Sequence, residues 1–251
     1  MTKRGQVTVF IILGVIILIL AALFLYLRES RGLFVPSGQY LQSQLTPIQT
    51  NVEECVTTAV GPGIILLGKQ GGSFSPTNYR LYEGQKVKYF CQNIPGKDQC
   101  LNMIPSLASI TEDFKNYLQF QVDSCVDKQL LDDLGVDVEG SKQLNVLTTF
   151  NQGTLLVETN YDVTLKRDQE RVRFPPLKKT YDAPLEELYF VSRDIVQSQA
   201  TVGDFEQLTY MLNRKGLYEI QVDKPFPDTI YKINKKNSNY QFWFAIEGES
   251  A

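Results

Sequence analysis

The sequence predicts an α+β chain: a long N-terminal apolar helix that crosses a membrane, then a disulfide-stapled extracytoplasmic domain of helices and antiparallel β-hairpins. Three observations predict it. The stretch from Val7 to Leu27 holds 21 residues without a charged side chain. All four cysteines, Cys55, Cys91, Cys100 and Cys125, lie beyond that stretch. Helical spacing in the first half of the remainder then gives way to short, alternating, β-branched segments in the second. Runs of helices and strands without regular βαβ alternation argue α+β.

The apolar stretch would rise about 31 Å as a helix at 1.5 Å per residue, enough for a hydrocarbon core of roughly 30 Å. A cleavable secretory signal has a shorter apolar core and small residues at its end, whereas AALFLYLRES runs straight into charge. An uncleaved anchor in membrane lipid is therefore expected. Lys3 and Arg4 on one side oppose Arg28 and Arg31 on the other, so loop charge orients the helix weakly. Cysteine gives the stronger orientation. An even number, without metal-ligand spacing and without a histidine in the chain, reads as disulfides, which persist in oxidising compartments. Residues 1–6 are accordingly expected in the cytoplasm, 7–27 in the membrane, 28–45 as a juxtamembrane linker, and the rest outside the cell. That rest divides into a disulfide-stapled helical region, 46–135, and an α+β region with hairpins, 136–251.

Pro36 and Gly38 mark the linker as broken chain. Thr46-Pro47-Ile48-Gln49 has the form of a helix start, with threonine as cap, proline at the first helical position and glutamine as capping-box partner. This helix carries Cys55 and is expected to kink or break at Gly61-Pro62-Gly63 before stopping at Gly71-Gly72. A turn-rich, aromatic stretch follows to Pro105. A second helix begins near Ser106. Its apolar positions Leu107, Ile110, Phe114, Leu118, Val122 and Cys125 step by three or four and form one inward face. That arrangement favours the pairing of Cys55 with Cys125, face to face between two helices, and of Cys91 with Cys100 around the Ile94-Pro95-Gly96 turn.

In the second half, 143–150 and 154–165 read as a hairpin about Asn151-Gln152-Gly153. Pro175 and Pro176 confine VRFPPL to an edge strand or a loop. Helices are expected from Pro184 through Ile195 and over about Gly203 to Lys215. Strands at 217–222, 229–235 and 240–246 end the chain. Phe242 and Phe244 alternate with Trp243, which places aromatic residues on both faces of the last strand and argues for burial on both sides.

Little of this carries chemistry. The chain has 25 Lys and Arg against 28 Asp and Glu, a net charge of −3, and setting aside Lys3 and Arg4 lowers it to −5. Such a surface repels phosphate backbones and excludes nucleic acid as a partner on electrostatic grounds. Without histidine there is no Ser-His or Cys-His nucleophile scheme. Gly63 to Gln70, GIILLGKQ, falls one residue short of a phosphate-binding loop: Gln70 lacks the hydroxyl that would hold Mg²⁺, and the interior is apolar. Asp132, Asp133, Asp137 and Glu139 form an acidic group without EF-hand spacing. No catalytic residue, cofactor or metal is expected.

The most specific motif is the start itself. Lys3-Arg4-Gly5-Gln6-Val7, followed directly by the apolar run, resembles the signal sequence of archaeal type IV pilins. The resemblance implies cleavage between Gly5 and Gln6 and a retained helix that bundles as a filament core. Phe10 stands where glutamate is common in that family. KRGQVTVFIILG, LLGKQGG and MIPSL together are similar to uncharacterised membrane-anchored surface proteins of small-genome archaea.

The function expected is thus a non-enzymatic cell-surface structural protein, a pilin-like subunit that self-associates through its N-terminal helix into a filament, tube or array. Gly14, Ala21 and Ala22 are the expected packing positions, since small residues let helices approach closely. The alternative is a monomeric tethered ectodomain that binds a ligand or a protein partner at the cell surface.

Overall fold

The computed structural model describes residues 13–24, 26, 37–97 and 100–248. Residues 13–24 are helical (α1). The remaining helices are α2 (Ser37–Lys69), α3 (Leu107–Cys125), α4 (Gln129–Asp132), α5 (Leu185–Val202) and α6 (Gln207–Asn213). Three sheets share twelve strands. The main sheet runs in the order β1 (Tyr79–Tyr82), β2 (Gln85–Asn93), β12 (Gln241–Ile246), β11 (Thr229–Lys235), β10 (Tyr218–Asp223), with β3 (Cys100–Asn102) paired to β2. A second sheet joins β5 (Leu144–Asn151), β6 (Thr154–Tyr161) and β9 (Leu177–Asp182). A third joins β4 (Asp137–Glu139), β7 (Thr164–Arg167) and β8 (Glu170–Arg173). Every pairing is antiparallel except β12 with β2. The domain is α+β, as the patterning predicts.

The membrane-spanning helix expected over Val7–Leu27 is corrected by the structure. Among the described residues no helix is long and apolar enough to cross a membrane. The flanking parts of Val7–Leu27, like the expected processing site at Gly5 and Gln6 and the departure at Phe10, lie outside the described residues.

The spine of the domain is α2, which begins well before Thr46. Its buried stripe runs Leu41, Leu45, Ile48, Val52, Val56, Val60, Ile64, Leu67, stepping by three or four along the whole helix. Neither Pro47 nor Pro62 interrupts it. Both prolines lie on the exposed side, where the carbonyls they leave unbonded, those of Ser43 and Thr58, also face water. Burial of the stripe outweighs the local cost. The helix ends where expected, at Gly71 and Gly72, with φ of 68° and 78°, and the Gly72 amide donates to the Leu67 carbonyl at 2.8 Å.

Against α2 pack α3, through Ile110, Phe114, Leu118 and Val122, and the inner face of the second sheet, through Val146, Leu155 and Val157. Ser106 caps α3, its hydroxyl accepting from the Ser109 amide at 3.1 Å. The inner face of the main sheet adds a stack of rings, with Phe90 on Phe244 at 4.9 Å and Phe244 on Tyr231 at 5.2 Å. Helix α5 covers that face with Leu188, Val191 and Ile195. It runs further than its sequence suggests, because Gly203, at φ 81°, is its C-cap and not the start of the next helix.

The prolines of VRFPPL separate β8 from β9, the edge strands of their two sheets. Strands β6–β7 and β8–β9 therefore form one long bent hairpin, and Phe174 at the bend meets Tyr161 edge to face at 5.5 Å. The turn-rich stretch before Pro105 contains three strands that its sequence did not reveal.

Candidate functional site

The two disulfides are Cys55–Cys125 and Cys91–Cys100, the pairing the helix faces favour. The first joins the middle of α2 to the last residue of α3, with Cα atoms 5.7 Å apart and a sequence separation of 70. The second closes the β2–β3 turn over 9 residues, Cα to Cα 5.4 Å. Cys125 is exposed while Cys55 is buried, so the inward face of α3 ends at Val122 and the bridge emerges on the surface.

Helix α1 presents the first candidate surface. Its large apolar side chains Leu13, Val15, Ile16, Ile17, Leu18, Ile19, Leu20, Leu23 and Phe24 are between 48 % and 71 % exposed. Gly14, Ala21 and Ala22 are exposed with them, and a side chain at Gly14 would meet nothing within 4 Å. An apolar surface continuous around a helix is far from what an isolated soluble domain presents, and it marks an element meant to be covered.

Neither chemical motif of the sequence becomes a site. GIILLGKQ is the last two turns of α2, so its backbone amides close helical hydrogen bonds instead of cradling an anion. Gln70 is buried, with its carboxamide assigned so that the nitrogen donates to the Ser73 and Phe74 carbonyls at 3.0 and 3.3 Å. The acidic group is neutralised piecemeal: Asp132 pairs with Lys142 at 3.3 Å, and Glu139 with Lys166 at 3.3 Å and Arg171 at 3.6 Å. Among the described residues no three His, Cys, Asp or Glu side chains gather as a metal site. The cleft between α2 and β9, about 240 Å³, is lined by Glu53, Val56, Val157, Thr159, Leu177, Lys178 and Lys179. The Lys179 ammonium bridges it by donating to the Thr57 hydroxyl at 2.9 Å.

The strongest electrostatic arrangement is one the sequence does not announce. Lys232, in the middle of β11, is 8 % exposed. Its ammonium donates to Glu83 Oε1 at 2.7 Å and Asp223 Oδ2 at 2.9 Å, and stands 4.8 Å from the ring centres of Tyr82 and Trp243. Tyr82 donates its hydroxyl to the same Asp223 oxygen at 2.9 Å. Burial pulls the ammonium down, yet the hydrogen bonds to Glu83 and Asp223 outweigh it and hold the lysine above its ordinary range. The same contacts hold both carboxyls below theirs. A lysine so held stays protonated and serves as neither base nor nucleophile. Nearby, Asp228 accepts from the Tyr89 hydroxyl at 2.7 Å and the Gly248 amide at 3.1 Å and pairs with Arg80 at 3.4 Å. Burial, then the bond to Asp228, pushes the Tyr89 phenol far up.

These four side chains come from residues 82–83, 223 and 232, too far apart for any local motif. The available signal was Lys232 itself, a cation at the centre of TIYKINK, where neighbouring positions are apolar.

Tyr240 is buried and its hydroxyl has no protein partner. Burial alone pushes that phenol up. Removing an unbonded buried hydroxyl relieves a desolvation cost, so Tyr240→Phe is expected to raise stability by about 1 kcal/mol. Chemical denaturation reads it, and a loss of stability would show that the hydroxyl is satisfied in solution.

Fold and geometry together define a disulfide-stapled α+β domain with an exposed apolar helix at its start. No family model, no curated protein and no solved structure matches the chain.

Proposed function

We propose that the protein is a non-enzymatic structural subunit of the cell surface, joined to copies of itself through α1, with the α+β domain turned outward. The observation that carries this reading is the exposure of every large apolar side chain of α1 between residues 13 and 24. Apolar surface left in water costs roughly 25 cal/mol per Å², and a helix apolar on all sides can be covered by several neighbours at once. Gly14, Ala21 and Ala22 let those neighbours approach closely. Two disulfides suit an oxidising compartment, which fits a domain on the outer side. The pilin-like prefix before the apolar run points the same way.

The test is assembly. Full-length chain purified in detergent is expected to form filaments or ordered arrays when the detergent is removed, seen by negative-stain electron microscopy. Gly14→Ile together with Ala21→Phe is expected to abolish them while leaving the domain folded. A chain that stays monomeric, or a double variant that assembles like the parent, overturns the proposal. The monomeric outcome favours the second reading, a tethered ectodomain that binds a partner.

A further inference from the structure

We propose that the β1–β2 hairpin is a hinged strap over the outer face of the main sheet, latched at its tip by Lys232. Among the described residues β1 pairs with β2 alone. The first half of β2 pairs with β1, from Gln85 to Lys88, whereas its second half belongs to the sheet, through Ala245 opposite Tyr89 and Cys91 opposite Asn102. The strand thus serves two layers. Near Tyr89 it leaves the sheet, and β1 folds back across β12 and β11 until Tyr82 meets Trp243 edge on, ring centres 6.3 Å apart.

Beneath the hairpin lies an apolar cluster of its own. Val87, Ile230, Trp243 and Ala245 are buried there, with Tyr82 and Tyr89 partly buried around them, and the cluster is separate from the main core. Lifting β1 uncovers this small cluster and leaves the stack of Phe90, Phe242 and Phe244 closed on the other face. Such units, with few apolar contacts, open at lower free energy than the core.

The latch is built from opposed pieces. Glu83 sits at the hairpin turn, Asp223 on β10 and Lys232 on β11, so one ammonium ties the moving part to two fixed strands. From the hairpin, Tyr82 and Glu83 face Lys232; from β10, Asp223; from β12, Trp243. The last turn of α2 adds Lys69, whose ammonium also stands over the Trp243 ring, at 5.1 Å. Two cations therefore share one ring, with the Glu83 and Asp223 carboxylates beside Lys232 to offset their repulsion. Once both carboxylates are neutral, the ammonium groups repel each other across the ring, and the buried charge of Lys232 gains by reaching water. At the hinge end Arg80, Tyr89 and Asp228 keep the hairpin attached.

The sign follows from the carboxyls. Both are held below the ordinary carboxylate range of about 4. The latch is therefore complete above that range and is lost as pH falls through and below it.

Trp243 is the single tryptophan of the chain and reports on the strap directly. Full-length, disulfide-intact protein is titrated from pH 7 to about pH 2, well below the ordinary carboxylate range, while Trp243 emission, acrylamide quenching and far-UV circular dichroism are followed. As pH falls below about 4 toward about 2 the emission is expected to move to the red and quenching to rise several-fold, reversibly, with circular dichroism retained. Glu83→Gln, at an exposed turn that tolerates it, is expected to show part of the red-shifted signal already at neutral pH and a smaller acid step. Lys232→Met keeps an apolar stem between the two rings and is expected to remove the acid step. The proposal is overturned by a Trp243 signal that stays constant to about pH 2, by one that changes only together with loss of circular dichroism, or by an acid step of wild-type size in either variant.

Discussion

Loss of the Cys55–Cys125 bridge is expected to cost the domain about 4 kcal/mol, and loss of Cys91–Cys100 about 2.6 kcal/mol, on the chain-entropy account of cross-linking. The order comes from loop length, 70 residues against 9. Free energy of closure rises with the logarithm of the loop, so the long bridge restrains the unfolded chain more. Cys55→Ala with Cys125→Ala, and Cys91→Ala with Cys100→Ala, are compared by urea unfolding followed through Trp243. For a domain of this size 4 kcal/mol is a large part of the net stability. The native structures differ in exposure as well: Cys125 lies at the surface, so mild reductant reaches this bridge first, whereas Cys91 is buried among the residues of the core. A larger loss from the short bridge would show that packing around Cys91, not the unfolded chain, sets the contribution.

The bridges were legible in advance because their determinants are local. The stripe of α3, Ile110, Phe114, Leu118, Val122, fixes which way that helix faces, and Pro95-Gly96 supplies a turn between Cys91 and Cys100. The β5–β6 hairpin, with its Asn151-Gln152-Gly153 connection, and β11 and β12 were readable for the same reason: alternation and turn chemistry sit within a few residues of each other.

What was not legible depends on partners distant in sequence. The breakers at Gly61-Pro62-Gly63 predict an interruption, yet α2 continues because a stripe from Leu41 to Leu67 is buried, with α3, β12, β7 and β8 packed around the helix. Tertiary burial overrides local propensity there. Strands β1 and β3 are short and half exposed, and β2, nine residues long, buries Val87, Phe90 and Cys91 at spacings that are not a strict alternation, so no pattern marks them. The latch of Lys232 needs Asp223 and Lys232 on neighbouring strands and Tyr82 and Glu83 on a hairpin folded back over them, which no spacing rule encodes. The long apolar run misled in another way. Hydropathy measures how strongly a segment avoids water and fixes neither the length of its helix nor what covers it. Over residues 13–24 the structure holds a helix with its apolar side chains exposed, and among the described residues none long and apolar enough to cross a membrane.

The second large effect is expected at Gly68, where α2 crosses the start of β12. A β-carbon built there runs into the Gln241 carbonyl oxygen and comes within 3.1 Å of the Tyr240 ring. The obstacle is backbone, so it cannot swing aside as a side chain would. To admit even one methyl group the helix must lift from the sheet or β12 must shift, and either movement opens the interdigitated layer of Leu67, Phe242 and Phe244, all fully buried. Overpacking of this kind costs about 3 kcal/mol, and Gly68→Ala is expected to lose that much. Gly61, two turns earlier on the same helix, provides the control. A β-carbon there meets nothing within 4 Å beyond its chain neighbours, and the gain of about 1 kcal/mol in helix propensity is opposed by the crowding of that carbon against the Pro62 ring. Gly61→Ala is thus expected to change stability little while Gly68→Ala destabilises the domain, although both substitutions add one methyl group to the same helix. Urea midpoints separate them. If Gly68→Ala loses no more than Gly61→Ala, the close approach of helix to sheet at Gly68 is not what positions the spine against β12.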